Sequence, residues 1–186
     1  MIQTNLRDAL RVQTRTDHDQ LDRMVTTLDI AKLADFILFL QLHHRCFTAI
    51  KSQAEGRGRS RKTLSYMIDG LAADLSSLSS DRAAIDLPLL PQLDPLSIDY
   101  MVAGSRLGSK ILRKRWSAST DLRVQRADSY FGQAVDPNLW PETCRALSEV
   151  PMGSARADKI VDDTKTQFQL FATAFAKIAL AEGALL

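Results

Sequence analysis

Apolar residues recur every three or four positions along almost the whole chain, which is the period of an α-helix. No run of alternating apolar and polar residues lies between hairpin turns, so nothing in the sequence is typical of a β-strand. We therefore expect an all-α protein in which long helices joined by short loops form a bundle. A chain of 186 residues is long enough to bury a sizeable core, and we expect 1–186 to form a single domain.

The apolar period predicts where these helices begin and end. The first predicted helix runs from about Thr4 to Leu28, and its buried stripe consists of Leu6, Leu10, Leu21 and Val25. Asp29 is expected to cap the second, which continues through Ile50. Segment 88–95 contains three prolines and is predicted to be a non-helical connection. The remaining helices are predicted at about 62–79, 97–116, 120–131, 141–147 and 154–185.

Charge and cysteine usage exclude several classes of protein. The formal net charge is +2, which is too small to indicate nucleic-acid binding. No apolar stretch reaches the length of a membrane span, and the N-terminal residues have no apolar core of a signal peptide. Cys46 and Cys144 are far apart and belong to no CxxC motif, so neither a disulfide framework nor a zinc site is indicated. We expect a cytoplasmic protein that does not contact a membrane.

The first candidate site lies in the first predicted helix. Arg11, Arg15, His18 and Asp22 fall on one side of that helix, since residues three, four or seven apart share a face. A neutral imidazole that ligates a metal needs an acceptor for its second nitrogen, and a carboxylate four residues on is within reach. Two guanidinium groups beside it suit a ligand with carboxylate arms. The alternative is an ordinary solvated helix surface.

The second candidate site is the segment Gly104-Ser105-Arg106-Leu107-Gly108 in the predicted helix 97–116. Each glycine in a helix interior costs about 1 kcal/mol relative to alanine, so two glycines four residues apart indicate a packing or functional reason. They leave a furrow in which a flat group can approach the backbone. Two interpretations remain open: close packing against another helix, or close contact with a ligand. A membrane GxxxG dimer is excluded by the basic residues of the same helix.

Taken together, the two segments resemble the bacterial heme oxygenases, in particular those that make biliverdin for bacteriophytochromes. LRVQTRTDHDQLD at Leu10–Asp22 resembles the proximal-helix pattern of that family, and YMVAGSRLGSKIL at Tyr100–Leu112 resembles its distal-helix GSxLG pattern. The order and separation of the two segments also fit, and helical periodicity is compatible over nearly the whole chain. The resemblance implies a single-domain helical bundle of the heme oxygenase type.

The resemblance also implies a role for each candidate residue. His18 would be the proximal ligand of heme iron, and Asp22 would orient its imidazole. Basic residues would approach the heme propionates, and the distal helix would border the open side of the iron. The propionate-binding candidates are Arg11, Arg15 and Lys114, and the distal candidates are Gly104, Ser105, Gly108 and Tyr100.

The activity implied by the resemblance is cleavage of heme at a meso carbon to biliverdin, ferrous iron and carbon monoxide. Heme is then both cofactor and substrate, and O2 is consumed. No flavin or nicotinamide motif occurs in the chain, so electrons would come from an external ferredoxin or reductase. The basic cluster Lys110, Arg113, Lys114 and Arg115 either docks an acidic donor or complements the dipole of a helix end. A bacteriophytochrome is the implied acceptor of the product.

Two positions depart from the family pattern. Ala103 stands where many members of this group have glutamate, and Asp22 is one methylene shorter than the usual glutamate. These departures favour an alternative function on the same fold, namely a tetrapyrrole-binding sensor or carrier that degrades heme slowly or not at all. A phosphotransfer module that uses His18 ranks lower, because the acidic neighbours Asp19 and Asp22 would repel a phosphoryl group.

Other polar and aromatic residues have simpler explanations. His43 lies in an apolar stripe, and no matching ligand set appears elsewhere, so we expect a core or pocket-lining histidine. Phe168, Phe171 and Phe175 are spaced as a helical core stripe, although such a stripe could also contact a porphyrin face.

Overall fold

The all-α prediction is confirmed in the part of the chain that the computed structural model describes, which is residues 5–54, 56–80 and 85–181. No strand occurs in these ranges. The helices in chain order are α1 (Leu6–Gln13), α2 (Arg15–Thr27), α3 (Leu33–Ser52), α4 (Arg61–Ser77), α5 (Pro95–Trp116), α6 (Leu122–Arg126), α7 (Leu139–Ser148) and α8 (Ala155–Ala181). The outermost residues of the predicted first and last helices, Thr4 and 182–185, lie outside the described residues.

Helices α3 and α8 form the centre of the bundle. Helix α3 packs against α4 on one side and α8 on the other, and α8 also packs against α2 and α5. Aromatic side chains fill the space between these helices, and Phe36, Phe39 and Phe47 are completely buried. Each such side chain contributes about 1.5–3 kcal/mol through burial of apolar surface. Helix α8 is therefore a common base on which both candidate segments rest.

The predicted first helix is in fact two helices, because the chain leaves α-helical geometry at Thr14. Its backbone angles are φ −103° and ψ 3°, and its hydroxyl donates to the carbonyl of Leu10 at 2.7 Å. Threonine side chains that bond to the preceding turn often bend a helix. Leu6 and Leu10 of α1 are buried, whereas Leu21 and Val25 of α2 are half-buried.

The start of α5 follows from its sequence. Asp94 caps this helix, because its Oδ1 accepts a hydrogen bond from the backbone N–H of Leu96 at 2.8 Å, and Pro95 occupies the first turn. The preceding residues 85–94 are non-helical, as the prolines predict. The predicted cap of the second helix was wrong: α3 begins at Leu33, and Asp29 lies in the turn before it.

The predicted helix at 120–131 was wrong beyond Arg126. Asp74, which is fully buried on α4, accepts hydrogen bonds from the backbone N–H groups of Ser129 at 2.8 Å and Tyr130 at 2.9 Å. These bonds hold the segment against α4 in a non-helical path. A Cβ on Gly70 would lie 2.9 Å from the carbonyl oxygen of Ser129, so only glycine permits this close approach. We call residues 127–133 the α6–α7 segment.

No described helix combines the length and the apolar character needed to cross a membrane.

Candidate functional site

His18 projects from the second turn of α2 with a carboxylate beside it. Its Nδ1 lies 3.3 Å from Oδ2 of Asp22 and 3.8 Å from Oδ1 of Asp19. The approach of Asp22 is the one that the four-residue spacing predicts. The Asp22 carboxylate lies on the Nδ1 side of the His18 ring, so Nε2 is the nitrogen that could bind a ligand. The His18 side chain is 54% exposed, so a ligand reaches it without a rearrangement of the core.

A buried aromatic ring packs against the imidazole of His18. The rings of His18 and Phe168 meet edge to face with their centroids 5.7 Å apart, and Phe168 is only 6% exposed. Because Phe168 belongs to α8, this contact holds one edge of the imidazole ring against the core of the bundle.

The predicted basic residues lie on the solvent-facing side of the same region. Arg11 is exposed and close to the phenol of Tyr100, so the structure brings these two candidates together. Arg15 is also exposed, and its Nε lies 3.6 Å from Oδ2 of Asp19. Lys114 is exposed near the far end of α5. Exposed guanidinium and ammonium groups are free to move toward an anionic ligand.

The two glycines of α5 lie along an open side of that helix. Apart from the backbone of α5 itself, a Cβ placed on Gly108 would meet no heavy atom of the described residues within 4 Å, and one on Gly104 would meet only Cζ3 of Trp140 at 3.9 Å. Neither glycine has a positive φ. Tight packing of another described helix against Gly108 is therefore excluded, and contact of this face with a ligand stays a prediction.

Two contacts fix the register of α2 against α5. The phenol of Tyr100 interacts with the hydroxyl of Thr14 at one end, and Nη2 of Arg115 donates to the carbonyl oxygen of Leu28 at 2.7 Å at the other. Both helices therefore run in the same direction with nearly equal numbers of residues between the contacts. To within about one turn, His18 lies at the level of Gly104. We call the space between these two contacts, with α8 beneath it, the α2–α5 groove.

Ser105 is directed toward the interior instead of the open side. Its hydroxyl interacts with the phenol of Tyr130, a side chain that is 1% exposed. Burial raises the pKa of Tyr130, so this phenol is neutral. The sequence alone did not indicate this partner, because Tyr130 reaches α5 only through the α6–α7 segment.

Tyr100 is half-buried beside Trp140, with their ring centroids 5.6 Å apart. Burial also raises the pKa of the Tyr100 phenol, while the neighbouring Thr14 hydroxyl and the positive charges of Arg7 and Arg11 act in the opposite direction. The neutral phenol is a hydrogen-bond donor at the end of the groove nearest α1.

The prediction that His43 is a core residue is confirmed. It is 7% exposed, and its ring lies 4.0 Å from that of Phe39 and 5.5 Å from that of Phe171. Its Nδ1 is 2.8 Å from the carbonyl oxygen of Phe39, which assigns the proton to Nδ1 in the neutral ring. Burial lowers the pKa of His43 to about 4.

A pH dependence of stability follows from the position of His43. An unfolded histidine binds its proton near pH 6.5, so the unfolded state binds more protons than the folded state between pH 6.5 and about 4. Stability is therefore lost as the pH falls through this window, by up to about 3 kcal/mol from this group. We expect His43→Leu to lose less stability than the wild type between pH 7 and pH 4.5 in urea unfolding. If His43→Leu loses as much stability as the wild type between pH 7 and pH 4.5, this assignment is wrong.

Two cavities lie elsewhere in the described structure. One of about 730 Å³ lies between the start of α5 and α7 and is bordered by Arg59, Asp99 and Arg156. The other, of about 450 Å³, lies between α2, α3 and α8 and is mostly apolar. Neither includes His18 or the two glycines.

No group of three or more metal-ligating side chains occurs among residues 5–54, 56–80 and 85–181. These residues therefore offer no site for a metal that is bound by several side chains, whereas a metal inside an organic macrocycle needs only one side-chain ligand.

Comparison of the chain with protein-family models, curated proteins and solved structures finds no match.

Proposed function

We propose that this protein is a heme oxygenase on an all-α bundle of the heme oxygenase type. The observation that carries the proposal is the placement of His18, held on its Nδ1 side by Asp22, at the level of the open glycine side of α5. One helix offers an imidazole, and the other offers bare backbone. A flat ligand with a metal at its centre is complementary to both.

The residues present fit heme in three respects. His18 presents Nε2 as an axial ligand, and Asp22 acts as the acceptor that keeps the proton on Nδ1. Gly108 has room beside its Cα for a planar ring. The exposed cations of Arg11 and Lys114 are available to two propionates.

Each candidate residue then has a defined task in the groove. Arg11, Arg15 and Lys114 bind the propionates and set the rotation of the ring about its metal, which selects the meso carbon nearest α5. Gly104 and Gly108 keep that side of the ring free of side chains. Bound heme supplies the redox chemistry with O2, and an external ferredoxin or reductase supplies the electrons. The product, biliverdin, is suited to a bacteriophytochrome.

Position 103 favours a second candidate function. Ala103 is 2% exposed and takes the place of the glutamate that is common in the family the chain resembles. A tetrapyrrole-binding sensor or carrier needs the imidazole and the groove but not the polar groups that support turnover. This observation keeps a heme binder with little or no activity as the alternative.

Hemin titration followed by reduction tests both functions. We expect the protein to bind hemin with a Soret band and, when given ascorbate or a ferredoxin system under air, to convert that band into biliverdin absorption. Catalase in the assay excludes breakdown by free peroxide.

The possible results of this titration are distinct. A Soret band that persists through reduction favours the heme binder over the oxygenase. If the intact protein takes up no hemin, both functions are wrong.

A further inference from the structure

Arg106 is a buried cation in α5 without a compensating negative charge. The residue is 3% exposed, its Nη2 donates to the carbonyl oxygen of Gln133 at 3.2 Å, and its guanidinium carbon lies 5.5 Å from the ring centroid of Tyr130. The guanidinium also has a side-chain hydrogen bond with the Tyr130 phenol, whereas its buried Nη1 has no hydrogen-bond partner among the described residues. Within the described ranges, no carboxylate oxygen lies within 4 Å of this guanidinium.

Stability does not account for this arrangement. Burial of a charge is unfavourable unless the charge is paired and its donors are satisfied, and well-packed apolar residues often stabilise a protein more than buried ions do. The ring of Tyr130 and one carbonyl offset only part of the loss of hydration. A positive charge that is buried without a carboxylate partner therefore calls for a role other than stability, such as attraction of an anion nearby.

The groove lies within range of this charge. Arg106 is two residues from both Gly104 and Gly108, so its side chain leaves α5 on the side opposite the glycines. Its guanidinium contacts Gln133 and Tyr130 and lies on the order of 15 Å from a ligand in the groove. Solvent ions screen a buried charge much less than an exposed one. The exposed Arg113 of the same helix lacks this advantage.

We propose that the unpaired guanidinium of Arg106 makes the α5 side of the groove selective for small anionic ligands over neutral ones. This inference rests on the proposed function, because the ligands concerned bind the metal of heme held by His18. Arg106 acts through its electrostatic field and does not touch the bound ligand.

Position 103 provides a way to cancel the field without removing Arg106. Residues three apart on a helix are neighbours, so a carboxylate introduced by Ala103→Glu lies next to the guanidinium. Arg106→Met removes the charge and keeps a long apolar side chain, whereas Arg106→Lys keeps the charge. Arg113→Met removes an exposed charge from the same helix and is the matched control.

The first experiment uses the heme-free protein. If the charge is uncompensated, Arg106→Met unfolds at the same urea concentration as the wild type or at a higher one. A large decrease in the midpoint would overturn the proposal, because Arg106 would then be needed for folding. Failure of Arg106→Met to fold would overturn the proposal for the same reason.

The second experiment compares azide, an anion, with neutral imidazole as ligands of the ferric hemin complex. We expect Arg106→Met and Ala103→Glu to bind azide about 3- to 7-fold more weakly than the wild type, as expected for loss of one buried charge at this distance. Imidazole binding should stay unchanged in both variants. Arg106→Lys and Arg113→Met should bind azide like the wild type.

The outcomes separate this inference from the proposed function. Normal hemin uptake with azide affinity unchanged in Arg106→Met and Ala103→Glu overturns the role of Arg106 and leaves the heme site intact. Equal weakening of azide and imidazole also overturns it, since the effect would then be steric. A wild-type protein that binds no hemin overturns the proposed function and the azide selectivity with it.

Discussion

Replacement of His18 by alanine should lower the affinity for hemin by about 100-fold or more and abolish the Soret spectrum of a histidine-ligated heme. The reason is that, in the proposed complex, His18 would be the side chain that binds the metal, whereas the remaining contacts would be apolar surfaces and exposed cations. Spectroscopic titration with hemin measures the affinity. Added imidazole should restore the ligated spectrum in His18→Ala, because the small molecule can occupy the space of the missing side chain.

Two further variants define what this result means. Asp22→Ala should reduce hemin affinity by about 10-fold, as is usual for loss of a group that orients a metal ligand. His44→Ala, which changes a histidine on α3, should have no effect. If His18→Ala binds hemin with an unchanged spectrum, the ligand is a different side chain and the α2–α5 groove is not the heme site.

Substitution of Gly108 by leucine should leave the heme-free protein folded and lower hemin affinity by at least about 10-fold. Outside the backbone of α5, no heavy atom in the described part of the chain lies within 4 Å of the position that a Cβ would take, and the residue is helical without a positive φ. Loss of a helix-interior glycine should even stabilise the helix by up to about 1 kcal/mol. The new side chain projects into the space that the ring would occupy. Urea unfolding and hemin titration measure the two effects.

Lys110→Leu is the matched control for this prediction, because it adds the same side chain to an exposed position of the same helix. It should bind hemin like the wild type. Equal hemin affinity of Gly108→Leu and the wild type would mean that the open side of α5 faces no ligand.

Local periodicity predicted the all-α class and the approximate positions of most of the helices, although not the break at Thr14 or the early end of α6. Leu6 and Leu10 are buried as the apolar stripe predicts, and His43 is a core residue. The contact of Asp22 with His18 also depends only on helical spacing, so it too was accessible from the sequence. These features have in common that neighbours within one helix determine them.

Features that depend on distant parts of the chain were not accessible in this way. The early end of α6 is caused by Asp74, a residue more than fifty positions earlier, which takes the backbone N–H groups of Ser129 and Tyr130. The interior direction of Ser105 and the burial of Arg106 follow from the same segment. Sequence patterns report which residues share a helix face but not which loop will cover that face.

The contacts at the two ends of the groove have a consequence for how a ligand enters. One contact joins α2 to α5 at each end of the groove: Tyr100 contacts Thr14 at one end, and Arg115 contacts Leu28 at the other. On the proposed function, a planar ring would enter edge-on between these two contacts, with its carboxylates toward solvent. A bulkier, non-planar molecule would require one of the two contacts to break first.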